Sequence, residues 1–225
     1  MQCEARGGRA DGALPGGSRW PETIRVTASR RLLIATNNPG KVREFRRLLA
    51  GAPFEVVTPA EAGISLNPEE TGSTYAENAE LKARAFAEAG DCLALADDSG
   101  IEVDALDGEP GMYSARFGGP GLDDVGRTAL LLEKLNGIPE GRRGARYRAV
   151  VCIAWPGGEP RCFEGVQEGS IGYAPRGEGG FGYDPVLLVD GVRAQAEISD
   201  EEKDMISHRG QAVRAAVDWL AGHCR

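Results

Sequence analysis

The sequence lacks the features that mark several specialised protein classes. It holds only two histidines, and its five cysteines are scattered without a CxxC pair. This usage argues against a structural zinc or a disulfide framework, and it is typical of a reducing compartment such as the cytoplasm. We therefore interpret Cys152 and Cys162 as apolar packing residues. No apolar run is long enough to span a bilayer, so no membrane partner is expected.

Positive charge is also in short supply. The chain has 26 lysines and arginines against 34 aspartates and glutamates, which gives a formal net charge of −8. Such a chain is a poor non-specific partner for nucleic acid, because that binding depends on basic side chains that neutralise phosphate. Any phosphate chemistry must therefore use a local cationic site or a metal ion.

Length and composition predict a globular body with an extension. A 41% hydrophobic content over 225 residues is sufficient for a sizeable core. Residues 1–30 differ from the rest, because glycines and five arginines occur there without apolar periodicity. We expect a flexible N-terminal extension at 1–30 and a single catalytic domain at 31–225.

Strand and helix patterns alternate after residue 31. A short apolar run at 32–35 predicts a buried strand, and a helical face follows at Val42, Phe45 and Leu48, with Glu44 placed outside that face. A second strand at 54–57 and a helix at 73–89 come next. This alternation favours an α/β fold.

The stretch from Leu93 to Val103 holds the most informative residues. Apolar residues lead to two adjacent carboxylates, Asp97 and Asp98, and the pattern predicts a strand that ends at this pair. Carboxylates at a strand-to-loop junction suit a hard cation. An ordinary charged turn between two strands is the alternative that these residues leave open.

Two loops have the composition of ligand-binding loops. In the turn at 36–41, Asn38 can cap a helix and Pro39 suits its first position, which makes a candidate anion site. It is not a P-loop, since Val42 stands where Ser or Thr is required. Residues 177–182 match GxGxxG, but a strand-like run at 183–189 follows instead of a helix, so the glycines indicate close backbone approach to a ligand.

Six blocks together carry a family resemblance. They are, in order, LLIATNNPGKVREFRRLL, ETGSTYAENAELKARAFA, ADDSGIEVDAL, PGMYSARFGG, GGFGYDPV and EEKDMISHRGQA. This order resembles the Ham1/inosine triphosphate pyrophosphatase family of bacterial type, over about Arg31 to Gly222. Each block alone is a weak signal, whereas six in order are specific.

The resemblance implies a fold and an activity. It implies a mixed α/β fold with an elongated central sheet flanked by helices, and two lobes with a substrate cleft between them. It also implies a homodimer that hydrolyses non-standard purine nucleoside triphosphates (dITP, ITP, XTP and dXTP) to the monophosphate and pyrophosphate with Mg²⁺.

The resemblance further implies roles for individual residues. Asp98 would be the general base and a metal ligand, with Asp97 beside it and Glu70, or its neighbour Glu69, completing the metal site. The substrate-binding residues would be Thr36, Asn37, Asn38, Pro39, Gly40, Lys41, Ser99, Phe181, Gly182, Tyr183, Asp184, Lys203, His208 and Arg209. Among these, Phe181 would stack on the purine.

Two other functional classes stay open on the sequence. One is a catalytically silent nucleotide-binding protein on the same scaffold, which the carboxylates disfavour because they would repel a triphosphate without a metal. The other is a related pyrophosphatase that prefers modified pyrimidines or ordinary triphosphates. The sequence does not indicate how GTP would be rejected.

Overall fold

The computed structural model describes residues 31–223, so the expected extension at 1–30 lies outside the described residues. The strands are β1 (Arg31–Ile34), β2 (Glu55–Val57), β3 (Leu93–Val103), β4 (Gly144–Ala154), β5 (Arg161–Ile171) and β6 (Leu187–Leu188). The helices are α1 (Pro39–Leu48), α2 (Tyr75–Gly90), α3 (Asp124–Lys134), α4 (Asp200–Ile206) and α5 (His208–His223). No helix within 31–223 is long and apolar enough to cross a membrane.

The strands form one mixed sheet in the order β2-β1-β3-β4-β5-β6. Strand β1 lies parallel to β2 and β3, whereas the pairs from β3 to β6 are antiparallel. The parallel strands follow from the helical crossovers α1 and α2, and the antiparallel pair β4–β5 is a hairpin. The α/β prediction is confirmed.

Helices cover both faces of the sheet. Leu32 and Ile34 of β1 face the cluster that contains Phe45 of α1 and Val213 of α5. Leu33 faces the opposite cluster, which α2 covers. Because β1 is buried on both faces, its sequence is a continuous apolar run rather than an alternating one.

A second lobe forms at the far end of β3, β4 and β5. There α3 packs Leu131 and Leu135 into a third apolar cluster with Ile101. The buried guanidinium of Arg143 donates hydrogen bonds to the carbonyls of Leu135 and Ile171, which joins the end of α3 to β5. The two lobes are continuous through the long central strands.

The predicted end of the strand at Asp97 and Asp98 is wrong. Strand β3 continues to Val103, because β4 pairs with it along its whole length and places Val150 opposite Asp98. Gly100 fits within this strand since a β-carbon there would lie 2.0 Å from the carbonyl oxygen of Gly111. The acidic pair therefore lies in the middle of the sheet.

Two other predictions need correction. The run 183–189 contributes only the two residues of β6, because the chain turns at 181–186, where the Val186 N–H donates to the Tyr183 carbonyl. Cys152 and Cys162 face each other across β4 and β5 with their sulfur atoms within bonding distance, so they are placed to form a disulfide as well as to pack.

Candidate active site

A cavity of about 540 Å³ opens between the two lobes. Its walls come from the start of α1, the middle of β3, α2, the junction of α4 and α5, and the segment 177–184, which we call the glycine loop. Most of the predicted site residues line it, namely Thr36, Asn37, Asn38, Lys41, Glu69, Glu70, Asp98, Ser99, Phe181, Gly182, Tyr183, Asp184, Lys203, His208 and Arg209.

Asp97 and Asp98 have different surroundings because neighbouring side chains of a strand point to opposite faces of the sheet. Asp98 contacts Asn78 and Lys82 of α2. Asp97 contacts Arg209 of α5, and it does not line the cavity. The two carboxylates therefore cannot act as one paired site.

Asp98 belongs to a small ionic cluster on the α2 side. The ammonium of Lys82 lies 3.4 Å from Asp98 Oδ1 and 2.9 Å from Glu70 Oε1. The guanidinium of Arg116 lies 3.3 Å from Glu70 Oε2. Burial raises the pKa of Asp98, and Glu70 and Asp97 add to this effect against the opposing Lys82 and Lys41. A carboxylate with a raised pKa is a better proton acceptor.

Asp97 is instead a fixed counter-ion. Arg209 donates two hydrogen bonds to Oδ2 at 3.0 and 2.8 Å, and the Lys41 ammonium lies 3.0 Å from Oδ1. Burial opposes ionisation, but Lys41 and Arg209 outweigh it and hold the pKa of Asp97 far below its ordinary value. This carboxylate stays charged at any physiological pH.

A buried carboxylate, Glu44, bridges two cations behind the cavity. Its oxygens lie 2.5 Å from the Lys203 ammonium and 2.5 Å from the Arg209 guanidinium. Burial opposes ionisation, yet Arg209 and Lys203 lower the pKa of Glu44 to about 2. The prediction that Glu44 lies outside the helix face is wrong, because α1 packs against α4 and α5 on that side.

The start of α1 borders the cavity through Asn38 and Lys41. Asn38 caps the helix, since its side chain accepts a hydrogen bond from the Lys41 N–H at 3.1 Å, and Pro39 follows as predicted. The Asn37 side chain donates to the Leu66 carbonyl at 3.0 Å and so holds the turn. The free N–H groups and positive pole of a helix start attract anions.

The glycine loop presents an aromatic ring to the cavity. The Phe181 ring packs against Gly40, where a β-carbon would lie 2.7 Å from it. Its centre is 5.2 Å from the Lys203 ammonium and 5.7 Å from the Arg209 guanidinium carbon. The Phe181 N–H donates to Asp184 Oδ2 at 2.8 Å, so Asp184 organises the loop.

His208 completes the wall beside Phe181. Its ring stacks on Tyr147 with the centroids 4.6 Å apart, and it is 3% exposed. Burial, together with the nearby Arg209, lowers the pKa of His208 well below its ordinary value. The imidazole is therefore neutral at pH 7, and its buried Nδ1 has no hydrogen-bond partner among the described residues.

The acidic side chains of the cavity suit a metal ion only when a bound ligand supplies further oxygen atoms. Within residues 31–223, no group of three or more His, Cys, Asp or Glu side chains converges as a metal site. Two carboxylates, Asp98 and Glu70, do meet at a single cationic atom, Lys82 Nζ. Such a pair holds Mg²⁺ when substrate phosphates supply further oxygens.

Comparison with known proteins identifies the family. Residues 32–219 match the model of the Ham1 family. The chain belongs to the Ham1 family. A dITP/XTP pyrophosphatase of an Exiguobacterium species is 50% identical over 185 residues, which cover 82% of this chain and 93% of that protein. The dITP/XTP pyrophosphatase of Bacillus subtilis is 45% identical, with 81% and 92% covered.

Solved Ham1 structures share the fold. The Staphylococcus aureus Ham1 protein superposes with a TM-score of 0.75 at 39% identity, covering 85% of this chain and 98% of that one. The dITP/XTP pyrophosphatase of Mycobacterium abscessus gives 0.65 at 40% identity, with 84% and 99% covered. The mixed fold with a flanked sheet, expected from the sequence, is that of the Ham1 family.

Sequence reasoning also missed residues of this Ham1 cavity. Pro39, Gly40 and Asp97 do not line it, whereas Lys82 and Arg116 do, although we predicted no role for them. A signal for Lys82 was available. Asn78 and Lys82 are four residues apart on an otherwise apolar helix face, which is the spacing of side chains that point to one place.

Proposed function

We propose that this chain hydrolyses ITP, dITP, XTP and dXTP to the nucleoside monophosphate and pyrophosphate. Its Ham1 relatives carry the name dITP/XTP pyrophosphatase. One observation carries the proposal. A single cavity is lined both by Asp98 and Glu70 beside Lys82 and by Phe181 beside Lys203. A triphosphate needs the first arrangement, and a purine needs the second.

We propose Mg²⁺ as the cofactor, with Asp98 and Glu70 as its protein ligands. Glu70 is preferred to Glu69 because Glu70 shares Lys82 with Asp98. Asp97, predicted as a third ligand, is left out because Lys41 and Arg209 already bind its oxygens. When bound, the cation would neutralise phosphate charge and make a water molecule more acidic.

The chemistry assigned to the chain itself is proton transfer and charge stabilisation. Asp98 takes the proton from a water whose oxygen attacks the α-phosphorus. The bond from that phosphorus to the bridging oxygen breaks, and pyrophosphate leaves with the electron pair. Lys41 and Lys82 line the cavity and would hold its charge. Ser99, which accepts a hydrogen bond from Arg209 at 2.9 Å and lines the cavity, would contact the substrate.

In this proposal, base selection belongs to the part of the cavity around Phe181. Phe181 stacks on the purine, and Gly182, Tyr183 and Asp184 shape the pocket around it. Lys203 and Arg209 donate hydrogen bonds, which suit a 6-keto oxygen and not the 6-amino group of adenine. Sites that bond a polar substrate group can discriminate by about 10⁴ against an analogue that leaves them unpaired.

We also propose that the protein forms a homodimer in the cytoplasm, both on the strength of Ham1 membership. In a reducing cytoplasm, Cys152 and Cys162 would be thiols in the same cross-strand register. Sedimentation equilibrium tests the dimer directly, and a mass of one chain at micromolar concentration would contradict it.

The decisive experiment measures the products. Purified protein is incubated with ITP or ATP, with and without Mg²⁺, and pyrophosphate and orthophosphate are quantified. We expect pyrophosphate from ITP only, dependent on Mg²⁺, and strongly reduced release from Asp98→Asn. Orthophosphate release, or equal turnover of ATP, would overturn the proposal. Binding of ITP without cleavage would identify a silent nucleotide-binding protein.

A further inference from the structure

The aromatic ring of Phe181 sits in a segment with little intrinsic stiffness. Its neighbours Gly180 and Gly182 have φ angles of +72° and +63°, a region that glycine enters freely. Glycine also has many other conformations available, so the loop sequence alone does not fix the direction of the ring. Within the loop, the Phe181 N–H donates to Asp184 Oδ2, and contacts from outside the loop supply further restraint.

The first turns of α3 supply two of these contacts. The Gly182 N–H donates to Asp124 Oδ2 at 2.9 Å, and the Thr128 hydroxyl donates to the Gly182 carbonyl at 3.3 Å. Asp124 and Thr128 are four residues apart, so they project from one face of the helix. The backbone N–H and carbonyl of Gly182 are therefore both held by α3.

The helix that makes these contacts is itself well anchored. Asp123 caps its start by accepting from the Gly126 N–H at 2.8 Å, and Leu131 and Leu135 lie fully buried in the second lobe. Thr128 is 3% exposed, so its hydroxyl has little alternative partner in solvent. Meanwhile the Phe181 ring packs on Gly40 at the start of α1.

We propose that Asp124 and Thr128 are positioning residues that fix Phe181 for stacking on the purine, and so set nucleotide affinity. The inference rests on the proposed function, because it takes Phe181 as the stacking residue. Stacking acts equally before and during the reaction, so loss of the clamp raises KM and leaves kcat unchanged.

The test uses substitutions that keep the volume of the side chain. Thr128→Val removes the hydroxyl and should raise both the KM for ITP and the Kd for inosine monophosphate, the latter measured by calorimetry. The expected rise is about threefold to tenfold, which corresponds to the loss of one hydrogen bond. Thr128→Ser restores the hydroxyl and should restore both values. Asp124→Asn keeps an acceptor and should stay near wild type, whereas Asp124→Ala should resemble Thr128→Val.

Two controls separate positioning from general stability. Leu132→Ala weakens the packing of α3 without touching the loop, so it should lower Tm and leave both constants unchanged. In a Phe181→Leu background, Thr128→Val should cause no further loss, because the ring that it positions is gone. An equal loss in both backgrounds, or unchanged constants for Thr128→Val, would overturn the inference.

The outcome is distinguishable from failure of the proposed function. If wild-type protein binds inosine monophosphate but releases no pyrophosphate from ITP, the proposed reaction is wrong. The clamp is then still tested by the coupling between Thr128 and Phe181 in the binding constants. If that coupling is absent while wild-type turnover is normal, only the clamp is wrong.

Discussion

Asp97 and Asp98 are adjacent and chemically identical, yet the same substitution should impair a different property of the protein at each position. Asp97→Asn and Asp98→Asn each replace one oxygen by a nitrogen and remove one charge. Because β3 directs the two side chains to opposite faces of the sheet, the first change removes a structural counter-ion and the second removes the proposed proton acceptor. We expect a loss of stability from the first and a loss of turnover from the second.

The expected loss of stability in Asp97→Asn follows from the burial of this side chain. Its side chain is 0% exposed and is bound to Lys41 and Arg209, so the substitution leaves two cations undercompensated away from water. Removing one partner of a buried ion pair costs about 3–5 kcal/mol. With about 2–4 °C of Tm for each kcal/mol in a domain of this size, Tm should fall by about 6–20 °C.

The expected loss of stability in Asp98→Asn is smaller. Burial raises the pKa of Asp98, which means that the folded state disfavours its charge. The loss of that charge in Asp98→Asn still leaves Lys82 balanced, since Glu70 lies nearer to that ammonium. Tm should therefore change by no more than about 3 °C. Turnover should fall by about 10²–10⁴-fold, the usual contribution of a general base.

The assay combines thermal unfolding by calorimetry with pyrophosphate release from ITP on the same preparations. Activity of Asp97→Asn is measured well below its Tm, so that the fraction folded does not limit the rate. The reasoning is refuted if both variants lose equal stability, or if Asp98→Asn keeps wild-type turnover. Either result would mean that the opposite orientation of the two carboxylates has no functional consequence.

Two further predictions concern residues around the same cavity. Gly40→Ala places a β-carbon 2.7 Å from the Phe181 ring and should displace the ring. The binding free energy of ITP should weaken by about 1–3 kcal/mol, which is measured as a rise in the steady-state KM. An unchanged KM would contradict this. Glu44 has a pKa of about 2 against an ordinary 4.5, so its stabilisation is present above pH 4.5 and is lost as pH falls toward 2. In urea unfolding, the wild type should lose about 3 kcal/mol more than Glu44→Gln over that window, and parallel curves for the two proteins would contradict it.

Local patterns predicted the elements well and the orientation of polar residues poorly. The cap at Asn38 and the strand at 32–35 depend on neighbouring residues, so the sequence was sufficient to place them. The continuation of β3 through Asp97 and Asp98 depends on pairing with β4, about 50 residues later, and no local signal reports it. Glu44 is buried by α4 and α5, which come more than 150 residues further along the chain.

The buried charges behind the cavity form one alternating series. In order, its members are Lys41, Asp97, Arg209, Glu44, Lys203 and Asp184. Buried ion pairs seldom add net stability, because the loss of hydration offsets their attraction, so folding alone does not account for these five pairs. What the series does accomplish is to hold three cations rigid and already dehydrated along one wall of the cavity. A polyanionic nucleotide that enters meets donors whose desolvation and ordering were completed during folding, whereas exposed lysines would have to lose water and freedom on binding. The series of ion pairs therefore lowers folding stability but increases the affinity for the nucleotide.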